Sequence, residues 1–93
     1  MKLRFSKDFY INLEKILKQN KYFSNKIEII IKDFESYWLW LETFQKYNLK
    51  KLNNLFLRLK IIPYRIIIKK DWLWNLIFYN IFIRKWKNDY KKY

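Results

Sequence analysis

From Leu55 onward the chain alternates. In LFLRLK, Leu55, Leu57 and Leu59 fall on one side and Phe56, Arg58 and Lys60 on the other, the period of a half-buried β-strand. Ile61, Ile62 and Pro63 break the run, because proline has no N–H for a ladder and holds its predecessor in extended or turn geometry. The next run sets Tyr64, Ile66 and Ile68 against Arg65, Ile67 and Lys69, and Lys70 with Asp71 predicts a second turn. From Asn75 to Ile83 both faces are apolar apart from Asn80, as in a strand buried between neighbours. The three runs predict an antiparallel meander with one core face and one largely cationic face.

The first half of the chain follows a helical period. Leu3 and Phe5 share a face of a short strand that joins the meander, and Ser6 is placed to cap a helix whose dipole Asp8 suits. Phe9, Leu13, Ile16 and Leu17 form that helix's apolar stripe, with Tyr10 at its edge. Ser24 is a second candidate cap, and Ile27, Ile30, Ile31, Phe34 and Trp38 continue at spacings of three and four, so a second helix runs antiparallel to the first. It either breaks near Ser36 or continues through Leu41 and Phe44 to about Tyr47, since no Gly or Pro marks a stop. The expected fold is α+β: an N-terminal strand and an antiparallel helical hairpin packed on a small antiparallel sheet, completed by the C-terminal three-strand meander.

Composition then narrows the chemistry. The 93 residues correspond to one domain, 1–93, large enough for a modest core. With neither cysteine nor histidine, thiolate metal sites, zinc chemistry and serine–histidine triads are excluded. The formal charge of +13, from 21 Lys and Arg against 8 Asp and Glu, calls for an anionic partner such as nucleic acid, an anionic membrane or an acidic protein. Abundant Lys, Asn, Ile, Tyr and Phe with no Gly also match the codon bias of an AT-rich genome, which explains lysines more readily than Arg58, Arg65 and Arg84. Charged Lys7 and Asp8 interrupt any leader, and the run from Trp72 to Ile83 is shorter than the ~20 residues of a spanning helix, so a soluble, cytoplasmic protein is expected.

Arg58 and Lys60, then Tyr64–Arg65, then LIFYNIFI, then Arg84 and Tyr90 form a series that resembles the C-terminal half of the RelE/ParE superfamily of type II toxins. KLRFS followed by an amphipathic helix is similar to that family's first strand and helix. The resemblance spans most of the chain except residues 36–50, through short motifs. It implies the toxin of a toxin–antitoxin system, more in keeping with the ribosome-dependent branch. That branch cleaves mRNA in the decoding site by driving the ribose 2′-hydroxyl onto the adjacent phosphate, with no metal and no other cofactor. Carried over, the resemblance gives Arg58 and Lys60 phosphate contacts and Arg65 the transition-state charge. Arg84 balances the leaving oxygen, although Lys85 competes for the same position, and Tyr90 acts as base or stacks on the substrate base. Strand parity groups Arg58 with Lys60, while register decides whether Arg65 and Arg84 join them.

In the tail, Trp86, Tyr90 and Tyr93 alternate with Lys85, Lys87, Lys91 and Lys92, either as an RNA-contacting edge or as a solvated terminus. The aromatic segment SYWLWLETFQKYNLK departs from the family; it reads first as a longer helix covering the core, and otherwise as a patch for an antitoxin or a second copy. The implied partners are an antitoxin with an acidic segment, the ribosome and mRNA, with no membrane. Two other classes compete: a ParE-like non-nuclease toxin of DNA gyrase, and a basic nucleic-acid or membrane-surface binder without catalysis.

Overall fold

The computed structural model describes residues 3–36, 47, 49–70, 76–83 and 93. Strand β1 (Leu3–Phe5) leads into helix α1 (Lys7–Gln19) and helix α2 (Phe23–Ser36). Strands β2 (Lys50–Lys51), β3 (Phe56–Ile61), β4 (Tyr64–Lys70) and β5 (Leu76–Ile83) follow. They form one five-stranded sheet in the order β1-β5-β4-β3-β2, with the helices packed on one face.

The expected meander is present as β3, β4 and β5, each antiparallel to the next. β5 lies inside the sheet because β1 pairs with its far side in parallel, which makes the sheet mixed. Residues 62–63 turn β3 into β4, with a cis Ile62–Pro63 bond. Ahead of β3, Lys50 and Lys51 pair with Arg58 and Leu57 and extend the sheet by a short strand. Asn53 supplies the turn that follows: its side-chain oxygen accepts from the N–H groups of Leu55 and Phe56, at 2.8 and 3.0 Å. In a chain without glycine, this Asx geometry closes the corner. Leu55 falls in that corner and is exposed, so it leaves the core face that Leu57 and Leu59 keep.

Ser6 caps α1 as its position predicts, accepting from the Phe9 N–H at 3.1 Å. It also locks the helix to the sheet, because its N–H donates to the Phe78 carbonyl at 3.0 Å and its hydroxyl donates to that of Tyr79. Ser24 does not cap α2. The helix already starts at Phe23, which is buried against Tyr64 with ring centroids 4.5 Å apart, and the Ser24 hydroxyl donates back to the Lys21 carbonyl. The expectations for Trp38, Leu41 and Phe44 lie outside the described residues; Tyr47 is in a turn.

Phe9, Ile16, Ile27, Ile30 and Phe34 from the helices meet Leu57, Leu59, Ile66, Ile68, Phe78 and Ile81 from the sheet in one core. Phe78 is its aromatic centre, edge-on to both Phe9 and Phe34 at 5.5 Å. Among the described residues no helix is long and apolar enough to cross a membrane.

Candidate functional site

The face of the sheet turned away from the helices is organised in rows. Lys60 pairs with Arg65, which pairs with Phe82; Arg58 pairs with Ile67, which pairs with Asn80; Phe56 pairs with Lys69, which pairs with Ile77. Register therefore brings Arg65 to the face that Arg58 and Lys60 share and adds Lys69. Every described Asp and Glu lies on α1 or α2, and the strands carry none. The helices thus carry the described negative charge while one sheet face gathers cations, a separation that raises the local positive potential.

The two arginines are held differently from surface lysines. Both are half-buried, and the Nε of each is buried without a hydrogen-bond partner. Nη1 of Arg65 donates to the Tyr64 carbonyl at 3.0 Å, which fixes one prong of its fork. A buried unsatisfied donor costs about 1–3 kcal/mol. An anion with several oxygens is the natural acceptor, since guanidinium presents a planar fork matched to phosphate. Lys60, which is exposed, adds charge from the neighbouring strand without such fixation.

Beside the cations stands an aromatic cluster. Tyr79 is the extra residue of a bulge, since Ile67 pairs with Asn80 and Ile68 with Phe78. Tyr79 lies beside Phe56, with centroids 5.4 Å apart, and Lys69 Nζ stands 6.0 and 5.9 Å from these two rings. Tyr93 joins them, edge-on to Phe56 at 5.7 Å and to Tyr79 at 6.1 Å, and lies nearly parallel to Phe82 at 6.2 Å and 10°.

Asn80 anchors Tyr93 through its amide, which donates to the phenol oxygen at 2.6 Å. Its side-chain oxygen accepts from Asn12 of α1, also at 2.6 Å. Because β1 stops opposite Phe78, α1 begins beside the edge of β5, within reach of this amide.

Of the sequence-predicted site residues, the fold brings Arg58, Lys60 and Arg65 together. Arg84, Lys85, Lys87 and Tyr90 lie outside the described residues. Sequence reasoning left Lys69 and Tyr79 without a role and gave Tyr93 only a place among the tail aromatics. Lys69 was legible from its parity with Arg65 and Tyr79 from its parity with Ile77, whereas Asn80 comes to the same face as Tyr79 through a bulge that alternation does not signal. At the far end of α2, Tyr47 donates to Asp33 and stacks on Phe34 at 6.0 Å. Burial, followed by the hydrogen bond and the charge of Asp33, holds this phenol well above its ordinary range.

No family model matches the chain, and no curated protein matches it. Among solved structures, it is similar to a chain of the RelB-RelE antitoxin-toxin complex from Methanococcus jannaschii, at 22% identity and a TM-score of 0.72. The match covers 94% of this chain and 96% of that one. At this identity the likeness is one of fold, over nearly the whole length of both.

Proposed function

We propose that this protein, as one domain over residues 1–93, is the toxin of a type II toxin–antitoxin system and cleaves mRNA in the ribosomal decoding site. The observation that carries this reading is the row formed by Lys60 and Arg65, with Arg58 one row away and the Nε of both arginines buried and unpartnered. A cation cluster with unsatisfied donors on a rigid sheet fits a phosphodiester gaining negative charge. The fold shared with a chain of an antitoxin–toxin complex adds support.

In this mechanism the ribose 2′-oxygen attacks the adjacent phosphorus as its proton passes to a base. A cyclic phosphate forms, the bond to the 5′-oxygen breaks, and that oxygen is protonated as it leaves. Arg58 and Lys60 hold the phosphate, and Arg65, braced on the Tyr64 carbonyl, meets the charge that develops on its oxygens. Arg84, or Lys85 in its place, serves the leaving oxygen, while Tyr90 is the base or stacks on the substrate base. Lys85 and Lys87 extend the phosphate track. The antitoxin neutralises the protein by laying an acidic segment over the same face, competing with RNA for the cations. Both the target and the complex belong to the cytoplasm.

The test is a purified translation reaction with programmed ribosomes, in which mRNA ends are mapped for wild type, Arg65→Ala and Tyr90→Phe. Cuts within the decoding-site codon that fall by about a hundredfold in Arg65→Ala are expected. The Tyr90→Phe result separates base from stacking platform. Intact mRNA with ribosomes present would overturn the nuclease reading and leave the gyrase-directed toxin or the basic nucleic-acid binder without catalysis.

A further inference from the structure

Tyr93 occupies a cradle with the features of a nucleobase site. Phe82 offers a ring face in near-parallel orientation, and Phe56 and Tyr79 close two sides with ring edges. The Asn80 amide meets the polar end of the ring at 2.6 Å, and the Asn53 amide donates to the Tyr93 carbonyl. A flat ring between aromatic neighbours, with an amide at its hydrogen-bonding edge, is how single-stranded RNA is commonly gripped. The cations are already beside it: Arg65 pairs directly with Phe82, and Lys69 stands over Phe56 and Tyr79.

We infer that Tyr93 is a self-ligand in a nucleobase-stacking site and that a base of single-stranded RNA replaces it when the backbone settles on Arg58 and Arg65. The inference rests on the RNA reading of the cationic face and goes beyond it by giving that face a base-binding subsite, filled in the free protein by the chain's own tyrosine. Tyr93 then competes with RNA instead of contacting it. Asn80 serves both occupants, donating to the phenol oxygen in one state and to an acceptor on the base edge in the other. Its oxygen is kept by Asn12, so the amide N–H side remains turned toward the cradle.

The experiment is equilibrium binding of a short, unstructured, fluorescently labelled RNA without ribosomes, beside an abasic oligonucleotide of the same length and charge. Tyr93→Ala empties the cradle and should tighten RNA binding about fivefold or more while leaving the abasic ligand unchanged. Tyr93→Phe keeps the ring but loses the Asn80 bond, and should fall between wild type and Tyr93→Ala. Phe82→Leu should weaken RNA binding in the Tyr93→Ala background, with circular dichroism confirming the fold. Weaker or unchanged binding by Tyr93→Ala overturns the inference, as does an equal gain for the abasic ligand. A DNA oligonucleotide that binds as tightly as RNA and responds alike overturns its restriction to RNA. Because this readout needs no ribosome, loss of the cradle effect with intact cleavage sinks only the cradle, and the converse sinks only the nuclease.

Discussion

Lys60 and Arg65 stand directly opposite one another in the β3–β4 ladder, two like charges on the same face of the sheet. Such a pair opposes folding by a few tenths to about 1 kcal/mol, so the fold carries a cost that an anion would relieve. Lys60→Thr should therefore raise the melting temperature by about 1–5 °C while weakening RNA binding. Thermal melts at low salt check the first effect, and the gain should shrink as salt screens the pair.

The unpartnered Nε atoms of Arg58 and Arg65 lead to a second expectation. Inorganic phosphate or sulfate should stabilise wild type more than chloride at matched ionic strength, since a ligand bound only by the folded state shifts the equilibrium toward it. Arg58→Met together with Arg65→Met should remove that difference. Differential scanning calorimetry with each salt reads it directly, and an increment that persists in the double variant would place the anion elsewhere.

Ser6 joins α1 to β5 through one residue: it caps α1, takes the Phe78 carbonyl with its N–H and takes the Tyr79 carbonyl with its hydroxyl. Ser6→Ala removes the side-chain bonds and should cost about 1–2 kcal/mol in urea unfolding. Ser6→Asp keeps the capping acceptor but not the donor toward Tyr79, so it should recover only part of the loss.

Alkaline stability should reveal the Tyr47–Asp33 contact. The folded phenol titrates above the ordinary tyrosine value of about 10, so above that pH the folded state keeps a proton that the unfolded state has released. The contribution is fully present below about pH 10 and is lost as pH rises from there toward the folded pKa, because stability falls wherever the native state binds more protons. Wild type should thus lose stability above about pH 10 more steeply than Tyr47→Phe, by up to one proton's worth of slope. Denaturant titrations at stepped pH measure the difference.

Much of this architecture was legible in the sequence because its signals are local. The alternation through Leu57, Leu59, Ile66 and Ile68 fixed which side of β3 and β4 meets the core, and all four are buried. Ser6 announced α1 because a cap is a matter of adjacent residues. What escaped depends on partners distant in the chain. The parallel pairing of Leu3 with Leu76 leaves no mark on either strand. The bulge at Tyr79 belongs to the register of β5 against β4, which neither strand carries alone. The start of α2 was misplaced for a related reason: burial of Phe23 under Tyr64, a tertiary contact, outweighed the capping preference of Ser24.

The gathering of Arg58, Lys60 and Arg65 lay between these cases. Parity alone put each on the polar side of its strand, but their adjacency follows from register, which the short turn at residues 62–63 sets. Once Ile61 pairs with Tyr64, Lys60 must face Arg65.

The pairing of β1 with β5 also bears on when the protein acquires its properties during synthesis. Strand β1 has its partner in β5, which is made after β2, β3 and β4, and α1 packs on that same late strand. The N-terminal segments therefore wait, with Phe5 and Phe9 uncovered, until residues 76–83 emerge to receive them. The β3–β4 ladder that carries Arg58, Lys60 and Arg65 can thus form before the strand that joins it to β1 and α1 has been made.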